Sequence, residues 1–541
     1  MTTIGTDDSQ AGIIDDTGGD HTGNNDTGDI SPPVDLPRPR EPRGPTSGRR
    51  DSGPIATEHQ PRPRLTFELD VDVCVVGAGL AGLTIAREVA KLGATVAVLE
   101  GRHVGWNAAG HNFGAVMPGF GNAVADLIAR VGYENARELW GLAQEGADYV
   151  RAAVTEHDMA GVALSEGALE VSNVDSGDEL ISRLQTLGED FATEVEGWQV
   201  DRVRAVLKTS RYFHAVHYPK AFQIDGRRYV HGLAALAEAA GARIFEETPI
   251  VGIDPAGIRK RIATPSARVR ASHIVLAGGV HLGASLRRLS ETLLPVWRYA
   301  AVTQPLGDRL ADVISFPGAV RDTDGIDHYR IVDGNRLMWS GDGGTFPVKP
   351  QSFARSVQRQ IRTLYPKLGP VEIMDVFGGV SGHTVHGMPQ IGEMRRGVWV
   401  VSGFGRQGLN TSAMAGQLIA RSIVQGDDRW RLFSPFELVW AGGAGGKVVG
   451  QAILSWSRTR SAAAGALARY RERARARERA LEARLVAAQQ RARPRGPAAT
   501  RPDGGPPRGR PRPMPRSITD VQTPPGPGAP RDTHQDGGAG G

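Results

Sequence analysis

Asp72-Val-Cys-Val-Val-Gly-Ala-Gly-Leu-Ala-Gly-Leu83 is an apolar run broken by three glycines. Residues 73–76 are mostly β-branched, which suits a strand in a sheet covered on both faces. Gly77, Gly79 and Gly82 then spell G-x-G-x-x-G, with Ala78, Leu80 and Ala81 between them. In such a motif Gly77 permits the tight turn, Gly79 lets a pyrophosphate approach the backbone, and Gly82 lets helix and strand pack closely. Residues 83–92 form the helix whose N-terminal N–H groups and dipole hold the phosphates. A second strand, residues 95–99, leads into Glu100 and Gly101, where the ribose-binding acid of a dinucleotide site belongs. An acid there, rather than a base, argues against the 2′-phosphate of NADP. Three glycines alone are commonplace; a strand, glycines, helix, strand and terminal acid within roughly 30 residues are specific.

The rest of the composition narrows the class. At 541 residues the chain has room for two domains plus tails. One cysteine, Cys74, excludes an internal disulfide framework and a Cys-rich zinc site. His214 and His217 lack a nearby carboxylate cluster, so no metal is expected. No long uncharged apolar run spans a membrane, residues 1–29 carry no signal h-region, and Arg49-Arg50 precedes no apolar stretch. A cytoplasmic location is the expectation. The net charge of +5 is concentrated toward the C terminus, so no specific nucleic-acid partner is expected.

Along the chain, residues 1–64 are polar and rich in Pro, Gly and Asp, the composition of a disordered tail. Strand-length apolar runs then alternate with helical segments, the pattern of α/β architecture. After residue 436 the character changes. Residues 442–446 read as a flexible joint and 447–456 as a short apolar segment with a basic edge. Residues 461–492 form an Ala/Arg/Glu helix with a sparse stripe of Leu467, Tyr470, Leu481 and Leu485. Residues 494–541 read as a disordered tail.

Further motifs carry a resemblance. They begin with Gly105-Trp-Asn-Ala-Ala-Gly-His-Asn-Phe-Gly114 and with Tyr218-Pro-Lys-Ala-Phe-Gln-Ile-Asp-Gly-Arg-Arg227, whose return leads to Ile250. Ile274-Val-Leu-Ala-Gly-Gly279 and Gly403-Phe-Gly-Arg-Gln-Gly408 follow in order. Residues 71–436 resemble the D-amino-acid-oxidase (DAO) type flavoproteins, including the glycine oxidases, and most of all the γ-glutamylputrescine oxidase branch. The resemblance implies a Rossmann-like, glutathione-reductase-type FAD-binding domain and an α+β substrate domain built on an antiparallel sheet. It implies FAD-binding pieces at 65–125, 217–296 and 375–436 and substrate-domain pieces at 126–216 and 297–374; beyond them the composition itself reads as a basic C-terminal helical arm at 437–493. Beside the fingerprint and Glu100-Gly101, it places Asn107, Ala109, Gly110, His111, Ile250, Ala277, Gly278, Gly403, Gly405 and Gly408 at FAD, held noncovalently. His111 stands where the family usually has Arg.

By the same resemblance, the C–N bond of a small amine or amino acid is oxidised by hydride transfer to the flavin. The imine then hydrolyses, and oxygen reoxidises the cofactor. Arg406 and Gln407 lie between two glycines beside the expected flavin, and Arg406 offers a bidentate fork to a carboxylate. His386 in the preceding loop and Tyr329 on the substrate sheet complete the catalytic candidates. Two alternatives stand: a dehydrogenase of an amine or hydroxy acid passing electrons to another acceptor, and a degenerate flavin-fold binding protein docked through its basic arm. That arm also offers weak peripheral contact with a membrane surface.

Overall fold

The computed structural model describes residues 61–157, 159, 161–323 and 327–492. Most of both expected tails, residues 1–60 and 493–541, lies outside the described residues. Two compact units are distinguished, Met1–Arg473 and Ala474–Gly541. The second contributes, among described residues, the last part of a helix, and both sheets belong to the first.

The fingerprint segment folds as read. Strand Leu69–Val76 is central in an eight-stranded sheet, between Val96–Leu99 and Arg268–Leu276, to both of which it is parallel. Val398–Ser402 and Arg243–Phe245 extend the parallel set, and Gln390–Arg395 closes one edge antiparallel. The unbroken apolar run is explained by burial on both faces. Val73 and Val75 enter one apolar cluster, and Cys74 and Val76 enter another. On the first face the helix Leu80–Lys91 meets Gly408–Gln425, which in turn meets Tyr133–Thr155. Small residues allow these approaches: a Cβ on Gly416 would lie 2.5 Å from Thr84 Cβ, and one on Gly146 2.2 Å from the Asn410 carbonyl.

The second sheet has nine strands. Its main path runs Ile373–His383, Leu294–Thr303, Arg336–Gly344, Asp327–Val332, Ala319–Asp322, Ser165–Val171, Ala215–Gln223 and Ala115–Val116. Its pairings are antiparallel except for Ala319–Asp322 beside Ser165–Val171, which is parallel. Helix Pro350–Leu364 covers one face with Phe353, Val357, Ile361 and Leu364, spaced as one helical stripe. Each such side chain stabilises the packing by roughly 1.5–3 kcal/mol.

Two expectations need correction. Residues 61–64 are not the end of a tail: the Arg62 guanidinium pairs with Glu238 at 2.6 Å, and its backbone N–H donates to Glu246. The glycines at 442–446 are not a separate joint, because Gly443 begins a single helix, Gly443–Ala492. Ala441 N–H donates to the Glu291 carbonyl at 2.8 Å and Gly446 N–H to that of Gly442, which fixes the first turn against the body.

Candidate functional site

A cavity of about 650 Å³ opens at the C-terminal ends of the parallel strands and reaches across to the second sheet. That is where ligands bind in open α/β sheets, and the volume suits a cofactor or small-molecule site. The fingerprint forms its floor. Gly77 has φ +108°, a left-handed value, and a Cβ there would lie 3.0 Å from Gly278 N. A Cβ on Gly82 would lie 2.0 Å from the Gly77 carbonyl oxygen, so only glycine lets the helix sit so close. Gly79 is the reverse case. Nothing lies within 4 Å of the position its Cβ would take, so the backbone there faces open cavity.

Glu100 follows the second strand and is buried. Its carboxylate accepts from Ala78 N and Arg102 N, both at 2.9 Å, and from Trp106 Nε1 at 3.1 Å. Burial raises its pKa, and those three donors oppose the rise. The carboxylate thereby ties the glycine turn to the loop at residues 101–114. Asn107 anchors that loop to the second sheet, donating from Nδ2 to the Val380 carbonyl at 2.9 Å and accepting from Val380 N at 3.0 Å. Asn112 closes it internally through Ala109 O and Gly114 N.

Nearly all the expected cofactor positions line this one cavity, from Ala78 and Gly79 through Asn107, Ile250 and Gly278 to Gly403 and Gly405. Gly82 and Gly110 stand behind its wall, packed on the Gly77 and Gly105 backbones respectively. His111 lines the cavity, and burial together with Arg227 lowers its pKa. These residues fit FAD: open backbone beyond Gly79 for the diphosphate, a helix N-terminus behind it, and an acid for the ribose.

The far wall is made by strand register. Arg298 pairs directly with Asp342, and His328 with Ser340, on neighbouring strands. Arg298, His328 and Ser340 line the cavity, joined by Arg406 from the Gly403–Gly408 turn. Asp342 lies behind them, with Arg298 Nε at 2.8 Å from Oδ1 and Arg406 Nη2 at 3.0 Å from Oδ2. Against its own burial, these two guanidiniums hold Asp342 below the usual carboxylate range. Arg298 Nη2 and His328 Nε2 are buried without a hydrogen-bond partner among the described residues. Burial, with Arg298, Arg321 and Arg406 nearby, pushes His328 well down, so its imidazole is neutral near pH 7.

Of the four catalytic candidates, only Arg406 lines the cavity. Tyr329 points the other way. Side chains alternate along a strand, so bringing His328 to the cavity sends Tyr329 into the core. There it stacks on Trp339, with centroids 4.6 Å apart, and bonds the Tyr365 hydroxyl at 2.8 Å. Gln407 is buried beside the turn and donates to the Phe120 carbonyl at 3.0 Å, which makes it a tether. His386 packs on Phe436 and lies 3.2 Å from the Glu437 carbonyl. Nothing local in the sequence links Arg298 to Asp342, so neither stands out before the strands pair.

Residues 72–422 match the family model described as DAO, FAD dependent oxidoreductase. The chain is 25% identical over 382 residues to the γ-glutamylputrescine oxidoreductase of Escherichia coli, covering 69% of this chain and 88% of that protein. It is 23% identical over 385 residues to the glycine oxidase of Geobacillus kaustophilus, covering 68% and 96% respectively. Among solved structures it is similar in fold to glycine oxidase from Bacillus cereus, with a TM-score of 0.56 at 20% identity over 68% of this chain and 98% of the other. A glycine fingerprint, an acid-capped second strand and a cavity shared by two sheets are thus the local expression of a family match across most of the folded chain, which belongs to the DAO family of FAD-dependent oxidoreductases.

Proposed function

We propose that this protein oxidises the C–N bond of a small amine that carries a carboxylate, as an amino acid does. The observation that carries the reading is the far wall of the cavity. It holds two guanidiniums against one carboxylate, and Arg298 Nη2 is buried there without a partner. Arginine remains charged in proteins. The Arg298–Asp342–Arg406 cluster therefore carries one excess positive charge beside the cavity, and a planar fork matches a carboxylate in two-point contact.

The wall also disfavours a diamine. Asp342 is already shared between two arginines, so it offers a second cation no partner. When bound, FAD would supply the acceptor for the hydride, with its two electrons, removed from the carbon beside the amine. The chain's own residues orient and neutralise. Arg298 and Arg406 fix the carboxylate, Ser340 and neutral His328 border the amine end, and the apolar ring of Phe113 narrows the remaining space. Near pH 7 no wall residue takes a proton from the substrate, so the amine reacts in its neutral form. Noncovalent FAD belongs to the same proposal, as does reoxidation by oxygen, which the name of the glycine oxidase among the relatives supports.

The test is steady-state turnover of the holoenzyme and of Arg298→Met on glycine, sarcosine, D-amino acids, γ-glutamylputrescine and putrescine. Loss of a charge-assisted fork predicts a fall in kcat/KM of about 100-fold or more on the carboxylate-bearing substrates. Putrescine should be poor with both enzymes. Unchanged kcat/KM in Arg298→Met on the best substrate would refute the carboxylate assignment.

A further inference from the structure

The helix Gly443–Ala492 lies beyond the part of the chain that matches the family model. Over residues 443–473 its two faces are the reverse of an ordinary surface helix. Gln451, Arg458, Gly465 and Glu472 recur every seventh residue and face the body. Gln451 Oε1 accepts from Thr345 N at 3.0 Å, and Arg458 donates to the Asp342 carbonyl. A Cβ on Gly465 would lie 3.5 Å from Asn173 O, and Glu472 Oε2 accepts from Arg204 Nη2 at 3.1 Å. Apart from the half-buried Leu454, the side turned to the body is thus polar or small.

The apolar residues face solvent. Val449, Ile453 and Trp456, then Leu467 and Tyr470, follow at the spacing of a single stripe, with Val448 at its edge and Trp440 in the connector before the helix. These seven side chains are between 48% and 71% exposed. Helices of globular proteins turn such a stripe inward, so an exposed one, here interrupted by Arg460 and Ala463 between Trp456 and Leu467, marks a contact surface. Its charge says which kind. Residues 443–473 hold six basic side chains and one acid, Glu472, which is already paired with Arg204. Arg460, Arg471 and Arg473 are exposed.

We propose that this stripe docks the protein on an anionic lipid surface. Tryptophans and aliphatics sink to the acyl boundary, while arginines reach the headgroups, the arrangement of an interfacial helix lying in the membrane plane. Among the described residues no helix is long and apolar enough to cross a membrane, so the contact is peripheral. The same features disfavour the other occupants. A second copy joined through the same stripe would crowd the basic side chains of one helix against those of the other, with Glu472 as the single acid of residues 443–473 on each and already paired. A nucleic acid would offer phosphates to the arginines but nothing to the row of valine, isoleucine and leucine.

The experiment is flotation of the full-length holoenzyme with phosphatidylcholine vesicles, with and without phosphatidylglycerol. It is paired with sedimentation of wild type and of the double variant Ile453→Glu/Trp456→Glu. The proposal expects binding to the anionic vesicles at least about tenfold stronger than to neutral ones. It also expects loss of that binding in the double variant, with flavin absorbance and turnover retained. Absence of flotation with anionic vesicles, or equal flotation of the double variant, would overturn it. A wild-type dimer that the double variant turns into monomers would also overturn it, and would assign the stripe to a second copy.

Discussion

At the scale of single residues, the site is a matter of register. Arg298 and Asp342 face each other because, after a register shift between Trp297 and Arg298, the two antiparallel strands pair regularly from Arg298 onward, and a further slip of one residue would separate them. That is why the sequence conceals the pair: Arg298 sits in Pro295-Val-Trp-Arg-Tyr299, which reads as an ordinary strand. Arg406 was legible because two glycines in a short turn bracket it beside a helix start. The cluster behind that wall sets a pH dependence through His383, which ends the strand Ile373–His383 and feels the charges of Asp342, Arg406 and Arg298. Burial pushes the His383 imidazole down to about 4, below its unfolded value near 6.5. Between those values the unfolded chain takes up a proton that the native state refuses. Stability is therefore lost as pH falls from about 6.5 to about 4, by at most about 3 kcal/mol for this group. Urea midpoints measured across that range should fall less steeply, by about one proton, in His383→Gln than in wild type. Parallel curves would contradict the assignment.

At the scale of elements, the fingerprint was legible in full because its logic is local. Residue types, turn and helix start lie within one βαβ unit, and Gly77, Gly79 and Gly82 each meet the surroundings the motif requires. Strand faces were less legible. His328, Tyr329 and Arg330 alternate, but which parity meets the cavity depends on the neighbouring strand, where Trp339 pairs with Tyr329 and Ser340 with His328. The loop at residues 101–114 shows how elements cooperate, since Asn107 makes two hydrogen bonds to Val380 and so joins the two sheets beside the cofactor cavity. Asn107→Ala leaves both Val380 backbone groups without that partner, at a cost of about 1–3 kcal/mol. FAD binding should weaken correspondingly, with Kd rising roughly 5- to 150-fold, as fluorescence titration of the apoprotein would measure. An unaltered Kd would show that the loop is held by other means.

At the scale of the molecule, the alternation of strands and helices announced the α/β class. The second sheet and its parallel pair were settled by long-range pairing that no local pattern specifies. The C-terminal arm was legible as a helix former, but its seven-residue rhythm of body contacts was not, because those residues are small or polar. That rhythm fixes where the chain can be cut. Ending it at Arg473 keeps Gln451, Arg458 and Glu472, and kcat/KM should stay within about twofold, the scatter of changes remote from a site. Ending it at Trp440 removes the donor to the Asp342 carbonyl and should raise KM several-fold, by loss of about 1–2 kcal/mol of positioning. Equal kinetics for both truncations would detach the arm from the site. The central claim, a flavin site that oxidises a carboxylate-bearing amine, is tested most directly by the absorbance spectrum of the purified protein during anaerobic titration with glycine, sarcosine, D-amino acids and γ-glutamylputrescine. The account predicts flavin bands that bleach with at least one of them, stay unbleached with putrescine, and return on admission of air. A colourless protein that takes up no added FAD, or a flavin that only putrescine bleaches, would contradict it.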